Sequence, residues 1–236
     1  MKVILFGATG MVGQGVLREC LLSPEVEQVL AVGRAETGQK HEKLRELLLK
    51  DFLDASSEST LDGYDACFFC LGVSSAGMKE EDYQRVTYDL TLAAAQVLVR
   101  TNPRMTFIYV SGTGTDSTEK GRSMWARVKG RTENALAAMP FRAVYLFRPG
   151  FIQPMHGIVS KTRLYRGLYK VLSPLYPVLK AVAPKYVTNT EAVGLAMLAT
   201  AELGAPKKVL ENDDINELAR RYSERRAGTR AEDASA

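Results

Sequence analysis

Three groups of residues in this 236-residue chain have the types and spacing to do chemistry. The first is Gly7-Ala8-Thr9-Gly10-Met11-Val12-Gly13, with glycines at i, i+3 and i+6. The first glycine lets the chain turn tightly, the second leaves room for a phosphate to approach backbone, and the third lets a helix pack closely on a strand. Backbone N–H groups from Thr9 to Val12 then open a helix whose positive end faces an anion, which is pyrophosphate chemistry. The second is Arg34, which closes the run Leu30-Ala31-Val32-Gly33. A guanidinium there suits a 2′-phosphate bidentately, where an acidic residue would instead hold a ribose 2′-hydroxyl. The reading is therefore NADP, with NAD as the alternative if Glu36, two residues on, folds back over the site. The third group is Ser111-Gly112-Thr113-Gly114-Thr115 followed by Trp125-Ala126-Arg127-Val128-Lys129. Helical spacing places Trp125 and Lys129 one turn apart on one face.

These residues need elements to position them, and the apolar pattern supplies a consistent set. Strands are expected at Lys2–Gly7, Gln28–Gly33, Glu46–Lys50, Ala66–Leu71, Met105–Ser111, Arg142–Phe147 and Lys208–Leu210. Helices are expected at Met11–Leu22, near His41–Arg45, and at Glu80–Arg100, Gly121–Ala138 and Glu191–Glu202. Several strands are unbroken apolar runs, as in a parallel sheet covered on both faces. The fold class is a Rossmann-type doubly wound, mostly parallel sheet of about seven strands with a small C-terminal lid. In that arrangement several candidate residues fall at strands' carboxyl ends, while Trp125 and Lys129 lie on a helix. Asp51, after the third strand, is placed to meet an adenine edge. Leu71 and Gly72 end the fourth strand, where glycine lets backbone approach a cofactor, and Pro149 and Gly150 end the sixth with a rigid turn.

Residues 1–223 read as one domain, and 224–236 as a polar, disordered tail. Residues 160–186, with Tyr165, Tyr169, Tyr176 and Tyr186 among basic residues and three prolines, read as a lid that shapes a substrate pocket. A membrane-surface helix or a subunit contact are the alternatives. A net charge of +4, with much of the excess in arginines near the C-terminus, marks no nucleic-acid surface. No apolar run is long enough to span a membrane. Three cysteines argue against a disulfide scaffold and fit a reducing compartment, read as the cytoplasm. Cys67 and Cys70 lie on opposite faces of a strand, so they read as buried small residues and not as a redox pair. The two histidines, His41 and His156, have no metal-ligand spacing, and His156 is a weak candidate acid/base.

From about Met1 to Leu218 the chain resembles the extended, or atypical, short-chain dehydrogenase/reductase superfamily, the epimerase/dehydratase-like branch. It is most similar to the Tat-interacting tumour-suppressor protein family and its bacterial relatives. The residues that carry the narrower match are Cys70-Leu71-Gly72, Val128-Lys129-Gly130, Phe147-Arg148-Pro149-Gly150 and Leu210-Glu211-Asn212. The resemblance implies a catalytic hydroxyl at Ser111, a lysine at Lys129 that holds the ribose hydroxyls, and a proton-transferring tyrosine four residues before that lysine. It also implies a homodimer through the Glu80–Arg100 and Gly121–Ala138 helices. This chain has Trp125 at the tyrosine position. An indole is no general acid or base near neutral pH. Two functions stay open: an NADP-dependent oxidoreductase or epimerase acting on an unidentified small molecule through another proton donor (Tyr88, Tyr109 or a lid tyrosine), and a cofactor-binding regulator or scaffold without hydride chemistry.

Overall fold

In β1 (Lys2–Phe6) Val3, Ile4, Leu5 and Phe6 are all buried, so neither face of this strand meets water. Successive side chains point to opposite faces. Val3 and Leu5 accordingly join one core, and Ile4 and Phe6 the other. The same division continues through β4 (Ala66–Phe69), β5 (Thr106–Val110) and β6 (Ala143–Arg148), where Phe68, Ile108 and Phe147 face one way and Phe69, Phe107 and Leu146 the other. Cys67 packs in one core and Cys70 against the other, and all three cysteines are free.

The computed structural model describes residues 1–49, 59–159, 176 and 182–233. Among them are β2 (Gln28–Gly33), β3 (Leu44–Leu48) and β9 (Val209–Glu211), which complete a seven-stranded, all-parallel sheet of order β3-β2-β1-β4-β5-β6-β9. The strand order reverses between β1 and β4, which opens a crevice at their carboxyl ends. Phe6 pairs with Val32 of β2 and with Phe69 of β4, so three strands end level there. Helices α1 (Met11–Leu22), α5 (Thr190–Leu203) and α6 (Asn212–Asp233) contribute to one core. The other is covered by α3 (Leu90–Thr101) and α4 (Met124–Ala137). A short helix, α2 (Glu80–Gln84), runs into α3 through a π-helical turn at Arg85–Asp89, and its first turn carries Glu80, Glu81 and Asp82. Those carboxylates suit the positive end of the helix.

Three expectations are corrected. No helix forms near His41–Arg45. Glu42 and Lys43 turn, and β3 begins at Leu44 and ends at Leu48, not Glu46 to Lys50. As an edge strand, β3 buries Leu44 while Arg45 and Glu46 face solvent, and charges on an edge strand blur the apolar alternation that marks a strand. The stretch from 224, expected to be a disordered tail, continues α6 as helix to Asp233. Ion pairs of Glu217 with Arg221 and of Arg220 with Glu224, each four residues apart, support that helix. Beyond β6 the chain also forms a small parallel pair, β7 (Phe151–Gln153) with β8 (Val187–Asn189), which the apolar pattern did not show. Asp51 and nearly all of the expected lid, save Tyr176 and residues 182–186, lie outside the described residues. Among the described residues, no helix is long and apolar enough to cross a membrane.

Candidate functional site

The glycine loop follows β1 directly. Gly7 has φ of +80°, a left-handed conformation that favours glycine, and a Cβ there would lie 2.7 Å from the Leu71 nitrogen. At Gly13 a Cβ would lie 2.0 Å from the Gly7 carbonyl oxygen, so only glycine lets α1 rest on the loop it leaves. Gly10 caps α1 without any side-chain hydrogen bond, and the helix's first turn carries no acidic residue. Gly10 N donates to Gly7 O at 2.9 Å and Gln14 Nε2 to Thr9 O at 3.2 Å, which set the loop's shape. The first N–H groups of a helix have no partner within it. Here they stay free of side-chain caps and half-buried at Met11 and Val12, which is what an anion requires.

Arg34 stands exposed just past β2 and forms no ion pair with any described residue. The loop after it is tied back to β3, Thr37 N donating to Glu46 Oε1 at 2.6 Å. Glu36 is exposed in the same loop. At the end of β4, Cys70 N donates to Phe6 O at 3.0 Å, which holds Leu71 beside Gly7. A Cβ at Gly72 would meet nothing within 4 Å, so packing makes no demand for glycine at that position.

The other half of the crest is built on β5, α4 and β6. Ser111 is buried, and its Oγ donates to Glu133 Oε1 at 2.5 Å and lies 3.1 Å from the Phe147 carbonyl oxygen. That hydroxyl is thus turned into the fold. Thr113 N donates to Pro149 O at 2.9 Å and Thr113 Oγ1 to Arg148 O at 3.0 Å, which lash the β5–α4 loop to the end of β6. Gly150 N donates to Asn212 Oδ1 at 2.9 Å. Glu133, 1% exposed, is clamped by Arg148: Nε donates to its Oε1 at 3.0 Å and Nη2 to its Oε2. Arg148 also reaches Ser117 Oγ at 2.6 Å and Glu211 Oε1 at 3.4 Å. Glu133 was missed in the sequence reading. A carboxylate on the apolar face of α4, one turn past Lys129, was the available signal.

Lys129 Nζ donates to the Ser111 carbonyl oxygen, lies 3.5 Å from that of Val110, and sits 5.9 Å from the centre of the Tyr109 ring. Burial pushes its ammonium down from 10.5 to about 8, with the negative charge of Glu133 opposing the fall. Between those values the folded chain holds fewer protons at this group than the unfolded chain does. Its effect on stability therefore grows more favourable as pH rises from about 8 to 10.5. Lys129→Met is expected to abolish that rise, as measured by urea denaturation at about pH 7.5 and about pH 9.5.

Trp125, one turn before Lys129, lays its six-membered ring against Gly114, where a Cβ would lie 3.5 Å from Cη2. Tyr109 is 1% exposed and burial pushes its phenol well above the usual range, so it is cut off from any substrate. The Arg131 guanidinium stands 4.5 Å above the centre of the Tyr88 ring. His156, with φ of 55°, pairs its Nε2 with Glu191 Oε2 at 2.7 Å on the α5 side.

No family model matches the chain. Protein fmp52, mitochondrial, from Emericella nidulans is 29% identical over 159 residues, 64% of this chain and 66% of that one. HTATIP2 from Rattus norvegicus is 26% identical over 155 residues, 64% of this chain and 62% of its own length. The chain therefore spans just under two thirds of these relatives. FMP52 from Meyerozyma guilliermondii aligns over 97% of this chain and 100% of its own at 24% identity. The Bordetella bronchiseptica enzyme WbmF in complex with NAD+ superposes with a TM-score of 0.64, at 18% identity over 94% of this chain and 77% of that one. UDP-glucuronic acid 4-epimerase from Bacillus cereus superposes with a TM-score of 0.65, at 13% identity over 89% of this chain and 76% of that one. The chain is thus similar in sequence to FMP52 and HTATIP2 proteins and shares the fold of NAD-binding enzymes. Its sheet order and glycine loop are those of a Rossmann-type fold. The cytoplasmic location expected from the cysteines is overturned, because the FMP52 relatives are named mitochondrial. Free thiols persist in any reducing compartment and never singled out the cytoplasm.

Proposed function

We propose that the chain is an atypical short-chain dehydrogenase/reductase that binds NADP(H) along the crevice above β1 and β4 and acts as an oxidoreductase or epimerase on a small molecule. The observation that carries the reading is the start of α1: an uncapped helix end without acidic residues, set on a loop only glycine can form, with an exposed Arg34 just past neighbouring β2 that forms no ion pair with any described residue. Backbone N–H groups from Thr9 through Gly13 would hold the pyrophosphate, and Arg34 the 2′-phosphate. Leu71 and Gly72 would line the cofactor's path with backbone, Lys129 would hold ribose hydroxyls, and Pro149 and Gly150 would border the nicotinamide end. When bound, the cofactor supplies hydride chemistry at its nicotinamide ring. WbmF and the Bacillus cereus epimerase are described with NAD, so the preference for the phosphorylated form rests on Arg34.

Titration with NADPH and with NADH, followed by emission of Trp125, the sole tryptophan, tests this reading directly. Saturable quenching, much tighter for NADPH, is the expected result. Arg34→Ala should weaken NADPH about 10- to 100-fold and leave NADH nearly unchanged, since a charge-assisted pair contributes about 1.5–3 kcal/mol. No quenching and no calorimetric heat with either nucleotide would sink the proposal.

Trp125 favours a second reading, a regulator or scaffold that binds the cofactor without turnover. Reductase activity gained in Trp125→Tyr and absent from the parent would establish it. Activity in the parent that survives Trp125→Phe would establish the enzyme.

A further inference from the structure

We infer that Lys129 itself is the proton-transferring group of this site, taking over the role that Trp125 cannot fill. The inference rests on the proposed function and adds the identity of its acid/base. Around the end of β5, three hydroxyls are already engaged with protein acceptors. Ser111 Oγ serves Glu133, Thr113 Oγ1 donates to Arg148 O, and Thr115 Oγ1 donates to Gly112 O at 2.7 Å. Tyr109 is sealed beneath the sheet's crest. Lys129 differs from all of these. Its residue is only half-buried, against 1% exposure at Tyr109, and its amine lies at the carboxyl end of β5, pinned by one firm backbone acceptor, the Ser111 carbonyl.

An ammonium has three protons. The Ser111 carbonyl takes one, a second would serve the ribose hydroxyls, and the third, 3.5 Å from the Val110 carbonyl and so only weakly engaged, is left to donate. The charged and titratable groups around Nζ are Glu133 on the next turn of α4, Tyr109 from β5 and, through Glu133, Arg148 from β6. Glu133 is held by Arg148 and Ser111, so it steadies the ammonium electrostatically without taking its proton in a contact pair. Burial lowers the amine's proton affinity to about 8, close to the value at which a donor works well near neutral pH. Lysine is a side chain that burial can shift this way, and arginine is not.

The step balances simply. As hydride from the nicotinamide cofactor forms a C–H bond at a carbonyl carbon, the carbonyl oxygen takes a proton from the Lys129 ammonium. The product is an alcohol, and the neutral amine then recovers its proton from water. In the oxidative direction the neutral amine accepts the alcohol's proton.

The test is site-resolved competitive acetylation of the full chain with acetic anhydride across pH, read by mass spectrometry, alongside the NADPH quenching titration. The expected result is a Lys129 midpoint near 8, against about 10.4 for ordinary lysines, and protection by saturating NADPH. Next, NADPH oxidation would be followed with three probes: 4-nitrobenzaldehyde, acetophenone and 9,10-phenanthrenequinone. Lys129→Arg keeps a cation for the ribose hydroxyls but gives up its proton too reluctantly. It should bind NADPH within a few-fold of the parent and lose about 100-fold or more in turnover. Normal quenching with Lys129 titrating beside the other lysines overturns this inference alone. So does normal quenching with no turnover of any probe, or an unimpaired Lys129→Arg. Absent quenching overturns the proposed function, and this inference with it. The acetylation profile is read on the parent chain, so misfolding of Lys129→Arg would not shelter the idea.

Discussion

Glu133→Ala is expected to destabilise the chain by about 3–5 kcal/mol, because it leaves a mostly buried guanidinium without its carboxylate. Arg148 is 13% exposed and directs both Nε and Nη2 at Glu133. Removing the carboxylate also takes the shorter of two acceptors from the buried Ser111 hydroxyl, leaving it the Phe147 carbonyl at 3.1 Å. For a chain of this length the melting temperature should fall by roughly 10 °C. The double variant Glu133→Leu with Arg148→Met is expected to recover much of the loss, since apolar side chains of similar volume often replace a buried pair at little cost. Thermal and urea denaturation of the two single variants and the double variant give the coupling directly. A Glu133→Ala loss below about 1 kcal/mol would show that the pair is solvated and has no structural weight.

Gly13→Ala is expected to cost about 3 kcal/mol and to abolish NADPH quenching at any practical concentration. The added methyl would lie 2.0 Å from the Gly7 carbonyl oxygen, which is backbone and has little room to retreat. Either α1 tilts away from the sheet or the loop opens, and both move the helix N-terminus that is proposed to hold the pyrophosphate. Gly72→Ala makes the matching control. Its Cβ meets nothing within 4 Å, so stability should stay within about 0.5 kcal/mol of the parent. A drop in NADPH affinity at constant melting temperature would then report the ligand's own approach to the backbone. Equal stability losses for Gly13→Ala and Gly72→Ala would contradict this division of labour.

The glycine loop shows why some of this site was legible in the sequence. Glycines at positions 7, 10 and 13 after an apolar strand act through local backbone geometry, and local geometry is written in consecutive residues. Strands buried on both faces read as apolar runs for the same reason, so β1, β2, β4, β5 and β6 were placed within a residue or two. The edge strand β3 was expected two residues late, because Arg45 and Glu46 break its apolar run, and the β7–β8 pair was not expected at all, because three residues each are too few to show a period.

The sequence by itself determined the doubly wound fold, the glycine loop at the start of α1, and Trp125 at the position where the resemblance implies a tyrosine. Each follows from the type and order of neighbouring residues. Only the tertiary structure decided that the Ser111 hydroxyl turns inward to Glu133, that Arg148 from β6 clamps that carboxylate, and that Lys129 is pinned to the Ser111 carbonyl. Those contacts join residues 15 to 22 positions apart through the packing of α4 against the sheet beside β5 and β6. A side chain's direction and the electrostatic cost of its burial are properties of that packing, and neither exists until the strands are side by side.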